Sequence, residues 1–268
     1  MNKIKQVVTQ DKMLVILFVL FGLLVFITLF ADSIAPFSPY EGSLKDAFIA
    51  PNDTHFFGTD KLGRDVFSRV LYGIRISMSI SFILVAVIVV CGSALGIVAG
   101  YFGGVCDKVI MAISDILISF PSMVLAIALA GVMGASVENA MFAIFVVSVS
   151  KYIRLARSLV LQVVNQEFIR AAKMSGTTDF QILVRHILPN ITNVLLVTAS
   201  GDIGTIILEL SALSFLGFGV PAPLPELGHM INDGRIYMLQ SPWIIAGPSV
   251  AIFCIVSICN LLSDRLGR

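Results

Sequence analysis

Residues 76–106 form an apolar run without a single charged side chain, and residues 13–31 form another. A helix needs about 20 mostly apolar residues to cross roughly 30 Å of hydrocarbon, and a soluble core of ordinary size has no place for two such stretches. Four further runs follow. Val109 to Val137 is interrupted only by Asp115. A weaker run extends from about Gly134 to Ile153, with its uncharged core between Glu138 and Lys151. A fifth begins after Pro189, carries Asp202 and Glu209, and ends near Gly217. The last lies within Ile236 to Ser263, starting near Trp243, where an interfacial tryptophan fits. The expected fold is therefore all-α, a polytopic membrane protein with six transmembrane helices. Composition agrees: 57% of residues are hydrophobic and 13% charged, about half the charge of a soluble domain. An ordinary soluble enzyme, a disordered chain and a collagen-like chain are excluded.

The distribution of Lys and Arg sets the orientation. With the N-terminus in the cytoplasm, Lys3, Lys5, Lys12, Lys108, Lys151, Arg154, Arg157, Arg170, Lys173, Arg185, Arg265 and Arg268 fall inside. Outside fall Lys45, Lys61, Arg64, Arg69, Arg75 and Arg235. Excess positive charge marks the cytoplasmic side, so both termini are expected there. The first run follows several lysines, as a signal peptide does, but it is longer than a usual signal core and lacks a small-x-small exit before Asp32; it is read as a retained span. Residues 32–58, rich in Pro, Ser, Asp and Asn, read as an irregular extracytoplasmic loop. Residues 61–75 read as an amphipathic interfacial helix, with Leu62, Val66, Phe67, Val70, Leu71 and Ile74 opposite Lys61, Arg64, Asp65, Ser68, Arg69 and Arg75. Residues 1–75 then form an N-terminal unit, and 76–268 a five-helix core with a cytoplasmic loop over 158–190.

Several chemistries drop out. Gly58-Thr59-Asp60-Lys61-Leu62-Gly63-Arg64-Asp65 imitates a phosphate-binding loop, but that loop needs Lys and then Ser or Thr after the second Gly. Here Arg64 and Asp65 stand there, and the segment reads as a turn and a helix start. An intramembrane serine protease would need a His buried in a span, whereas His55, His186 and His229 fall in loops or at helix edges. Cys91, Cys106, Cys254 and Cys259 form no Cys-x-x-Cys and read as small hydrophobes. A net charge of +1 implies no field for nucleic acid.

The segment between the fourth and fifth runs is richer. Local rules make Gln166 to Asn190 two short helices. The first ends at Gly176, suited to the left-handed position after a helix. The second opens with the capping pattern Thr178-x-x-Gln181, and Pro189 marks the start of the next helix. Ala171 and Ala172 leave a flat face, and Phe168, Ile169, Phe180 and Ile182 are apolar groups in need of cover. The pattern suits a docking knob, or a connector packed against its own membrane domain.

Ala171-Ala172, then Gly176, then His186-Ile187-Leu188-Pro189 is similar to the coupling motif of bacterial ABC importer permeases. Arg170 in place of the usual Glu, and Arg185-His186-Ile187-Leu188-Pro189-Asn190, resemble the dipeptide, oligopeptide and nickel branch. Phe57-Gly58-Thr59-Asp60 through Arg69, and Ser214-Phe215-Leu216-Gly217 through Pro223, resemble the C-type subunit of that branch. The resemblance implies a transport subunit and not an enzyme. It also implies that Glu167, Arg170, Ala171, Ala172, Gly176, Asp179, Ile187, Leu188 and Pro189 couple it to an ATPase. The partners implied are a homologous second permease, two ATP-binding subunits, an extracytoplasmic solute-binding protein and membrane lipids, in a bacterial cell membrane. ATP and magnesium would sit on the partners, with no cofactor in this chain.

Substrate is the finer question. Asp202-Ile203-Gly204 and Met230-Ile231-Asn232-Asp233 look like nickel-type C subunits, so import of nickel or a metal chelate leads, with dipeptide or oligopeptide import as the alternative. A carboxylate in lipid is costly and should face a bundle interior or a translocation path. Asp202 and Glu209, two turns apart on one helix face, and the outer-loop residues His229 and Asp233 beside Glu226, are the candidates for that path. Glu209 also has a bracing reading and Asp202 a wet-end reading. No metal ligand set is assigned.

Overall fold

The computed structural model describes residues 12–267; Lys3, Lys5 and Arg268 of the orientation count lie outside them. The described residues are helical throughout, apart from loops and one isolated bridge between Thr59 and Asp65. Among the described residues ten α-helices run α1 Lys12–Ile34, α2 Val66–Phe102, α3 Gly104–Ile118, α4 Ser122–Met133, α5 Val137–Val164, α6 Glu167–Met174, α7 Asp179–Ile182, α8 Leu188–Phe215, α9 Leu227–Gly234 and α10 Trp243–Leu266. Among the described residues, four helical runs are long and apolar enough to cross a membrane, or five if α3 and α4 make one broken span. Helix α5 is long enough, but its second half carries Lys151, Arg154 and Arg157.

Helix α2 is the axis of the bundle, packed against α1, α5, α8 and α10. Its closest neighbour is α5, because Gly92, Gly96 and Gly100 form a stripe every fourth residue. A Cβ on Gly96 would stand 2.4 Å from the Ile153 carbonyl oxygen and 2.8 Å from Ala156 Cβ. The missing side chains let two backbones approach, as small-xxx-small seams do inside membranes. Met78, Leu84, Ile88, Ile144, Ile207 and Leu210 complete the packed centre. Helix α1 buries only Leu14, Leu17, Leu24 and Ala31 and leaves Ile16, Val19, Leu23 and Leu29 exposed, the pattern of a helix with one side in lipid.

Three expectations need correction or refinement. First, residues 61–75 are not a separate interfacial helix. Asp65 caps α2, accepting from Ser68 N and Ser68 Oγ, both at 2.7 Å, and the helix runs unbroken through residues 75 and 76. Arg64, Asp65, Ser68 and Arg69 of the expected polar side are buried under the loop 35–65, where acid and base satisfy each other. Asp60 accepts from Arg64 Nε at 2.7 Å and lies 3.7 Å from Arg69 Nε, while Arg69 Nη1 donates to the Pro39 carbonyl at 2.8 Å. Trp243 Nε1 donates to the Thr59 carbonyl at 3.2 Å and fastens this cap to α10.

Second, the third run is not one continuous helix; it breaks at Pro121, where a proline kink is expected. α3 and α4 meet at 88° across Ser119–Pro121. Proline cannot continue the hydrogen-bond ladder and disfavours helical geometry in the residue before it; Pro121 therefore stands at the start of α4. Asp115, the one charge in this run, lies in the last turn of α3, paired with Arg154.

Third, the helix of the fourth run continues past Ile153 to Val164. Lys151, Arg154 and Arg157, counted above as cytoplasmic-loop charges, stand on α5 three residues apart. Each meets an acid from another helix: Asp202 of α8, and Asp115 and Asp107 of α3. The paired acids make the long helix tolerable; the apolar pattern alone could not show them.

Candidate coupling hairpin and polar cavity

The hairpin leaves α5 at Asn165 and forms α6 and α7. The amides of Ser175, Gly176 and Thr177 return to the carbonyls of Ala171, Lys173 and Ala172 at 3.0–3.1 Å, closing the end of α6. Gly176 has φ +79°, the left-handed conformation expected of it, and a Cβ there would meet nothing within 4 Å. The demand for glycine at this turn is conformational rather than spatial. Thr178 Oγ1 accepts from Gln181 N at 3.4 Å and caps α7.

Pro189 does not separate the second hairpin helix from the next span. A π turn over Leu183–Ile187 joins α7 to α8 in one helical run. A proline ring clashes with the carbonyl four residues back, and the wider π turn provides a place for it. Asn190 Nδ2 donates to the His186 carbonyl at 2.5 Å on the same turn.

The apolar anchors divide between the two readings. Ile169 and Ile182 are fully buried against the chain's own bundle, as is Ile187. Phe180 is 74% exposed and Met174 90%, and Phe168, Val184 and Leu188 are also open. Glu167, Arg170, Ala171, Asp179 and Pro189 lie on the exposed side, with Ala172 half-buried. One face of the hairpin is thus packed inward and the other is an uncovered apolar surface framed by charge.

Deeper in the bundle, Asp202 and Glu209 line one cavity of about 180 Å³ with Ser148, Lys151, Tyr152 and Thr205. Asp202 accepts from Lys151 Nζ at 2.6 and 2.9 Å and from Tyr152 Oη at 2.7 Å. Its charge is therefore already balanced. Glu209 Oε2 is buried without a hydrogen-bond partner. The outer residues belong elsewhere. Glu226 is not a loop carboxylate but the buried cap of α9, accepting from His229 N at 2.8 Å, Ser77 Oγ at 3.1 Å and Ser211 Oγ at 3.3 Å. Asp233 takes Lys61 Nζ at 3.1 Å and lies 3.7 Å from His229 Nε2. Among the described residues no three His, Cys, Asp or Glu side chains group as a metal ion would need.

The sequence reading missed Tyr101, in the last turn of α2, which touches the hairpin twice. Its hydroxyl donates to Asp179 Oδ1 at 2.5 Å, and Lys173 Nζ sits 5.1 Å from its ring centroid. Tyr101 lies at the end of a charge-free run, and nothing local marks it.

The description "binding-protein-dependent transport system inner membrane component" covers a family whose model matches residues 92–268. This chain belongs to that family. The permease is 38% identical over 257 residues to the dipeptide transport system permease protein DppC of Alkalihalophilus pseudofirmus, covering 96% of this chain and 84% of that one. It is 41% identical over 216 residues to the glutathione transport system permease protein GsiD of Pectobacterium atrosepticum, covering 81% and 72%. It is 39% identical over 248 residues to the probable D,D-dipeptide transport system permease protein DdpC of Escherichia coli, covering 92% and 83%. A solved chain of the MetNI methionine ABC transporter in inward facing conformations shares the fold, with TM-score 0.61 at 17% identity over 74% of this permease and 94% of that chain. The permease is a membrane transport subunit and not an enzyme. The metal-leaning expectation finds no support here: these relatives carry dipeptide and glutathione names, which favours the alternative, and Glu226 and Asp233 of the outer stretch serve as a helix cap and in an ion pair.

Proposed function

We propose that this permease forms half of the translocation pathway of an ATP-driven importer of small peptides, with a homologous permease as the other half. Two ATP-binding subunits dock on the hairpin, an extracytoplasmic binding protein delivers the peptide, and both termini lie in the cytoplasm. The observation that carries the docking part is the uncovered face of the hairpin, where Phe180 and Met174 stand in the open beside Ala171. Glu167, Arg170, Gly176, Asp179, Leu188 and Pro189 frame that face, while Ala172, Ile187 and Ile169 fix it to the bundle. The cavity holding Asp202 and Glu209 is part of the peptide path. Lys151 and the Asp202 and Glu209 carboxylates offer this cavity groups of both signs, which suits the ends of a zwitterionic peptide.

Two measurements test this reading. Cells lacking the chain should lose uptake of a labelled dipeptide or of glutathione and keep nickel uptake; the opposite result overturns the peptide assignment. In the assembled importer, Ala172→Glu should abolish substrate-stimulated ATP hydrolysis and uptake while the permease still inserts in the membrane. Full stimulated hydrolysis in that variant would refute docking through the hairpin.

A further inference from the structure

We propose that Tyr101 is a positioning residue that makes α2 the strut between the coupling hairpin and the extracytoplasmic surface; this rests on the docking reading above. The hairpin is joined by the chain itself to α5 and, through the π turn, to α8. Tyr101 ties it to a third helix. The two groups it grips stand on opposite sides of the Gly176 turn, Lys173 near the end of α6 and Asp179 at the start of α7. A rotation of the turn that moves both limbs together must therefore carry the ring and the last turn of α2 with it.

What α2 does with that displacement follows from its length and its far end. Its 37 residues make a rod of about 55 Å at about 1.5 Å per residue, helical without interruption from Val66 to Phe102. At the outer end Asp65 caps it, Arg69 is held by Asp60 and by Pro39 O, and Ser77 donates to Glu226. Glu226 caps α9 and also accepts from Ser211 of α8. One rigid element thus has the hairpin at its inner end and the loop 35–65 together with α9 at its outer end. The second is the surface a delivering protein would meet. Binding outside and closure of the ATPases inside bias the same rod, and reciprocity then requires that each affect the other.

The test uses the complete importer in lipid nanodiscs, with unstimulated and binding-protein-stimulated ATP hydrolysis measured side by side. Tyr101→Leu removes both contacts. Stimulation should fall about tenfold, with unstimulated hydrolysis unchanged and ATP-binding subunits retained in full. Tyr101→Phe keeps the ring over Lys173 and loses only the hydrogen bond, so its loss should be smaller. Tyr101→Phe combined with Asp179→Asn should be no worse than the weaker of the two alone, because they share one contact. Unaltered stimulation in Tyr101→Leu overturns the proposal. So does loss of the ATP-binding subunits from the purified Tyr101→Phe complex, which would make the ring a prop for the docking surface, and so does simple additivity in the double variant. The Ala172→Glu importer serves as reference. If it retains full stimulation, docking through the hairpin fails whatever Tyr101 does; if it is silent while the Tyr101 variants are normal, only the strut fails.

Discussion

Gly96→Ala is expected to destabilise the permease by about 1–3 kcal/mol, an unusually large effect for one added methyl group. The new Cβ would lie 2.4 Å from the Ile153 carbonyl oxygen, a backbone atom that cannot rotate away, and 2.8 Å from Ala156 Cβ. Relief requires α2 and α5 to separate along their shared seam. Gly92 and Gly100 would then lose their contacts with Tyr152 and Val160 as well. Gly131→Ala is the matched control. Its Cβ would meet only the Phe218 ring at 3.7 Å, so it should be neutral or gain about 0.5–1 kcal/mol of helix propensity. Thermal unfolding of the purified chain in detergent distinguishes them, and equal midpoints for the two variants would show that the seam is looser than described.

Asp60→Ala should cost about 3–5 kcal/mol, the usual penalty for stranding the partner of a buried ion pair. Arg64 and Arg69 are 6% and 3% exposed, and the substitution leaves both without their carboxylate. It also removes the acceptor of the Leu62 and Arg64 amides at 2.8 and 3.0 Å. Asp60→Asn keeps an oxygen for those amides and should fall between. The chain has one tryptophan, and Trp243 is bonded to the neighbouring Thr59. Its fluorescence therefore reports opening of this cap directly. An emission maximum and unfolding midpoint unchanged in Asp60→Ala would mean that the arginines reach water.

The two predictions fall on unequal ground for a reader of sequence. The spans of α1, α8 and α10 were legible because length and apolarity are local quantities. So was the Gly176 turn, whose left-handed conformation and Thr178 cap are written in adjacent residues. The polar stripe at Arg64, Ser68 and Arg69 was misread as solvated, because burial of a charge depends on an acid such as Asp60 folding over it. Likewise Lys151, Arg154 and Arg157 were counted only as inside charges, because their acids come from α3 and α8. Asp202 and Glu209 shared a face as expected, and only the structure supplied the lysine between them. Local motifs survived, and pairings across helices had to be seen. The relatives' dipeptide and glutathione names favour the alternative substrate reading over the metal one, and the outer stretches that leaned towards metal include a helix cap and an ion pair in the fold.

The elbow between α3 and α4 carries a consequence for hydration. With 15 and 12 residues, at about 1.5 Å each, neither arm reaches across roughly 30 Å of hydrocarbon. A helix end and a helix start meet there, each with backbone groups that its own helix cannot satisfy. Ser119 Oγ relieves one of them by donating to the Ile116 carbonyl at 2.6 Å, and α4 has no side-chain cap. Bare exposure of the others to acyl chains would cost several kcal/mol apiece. Ser122, the first residue after the bend, also lines the cavity of Lys151, Asp202 and Glu209. The unsatisfied backbone of the elbow and the acids of the cavity thus meet at one residue, so water admitted to either has a route to the other.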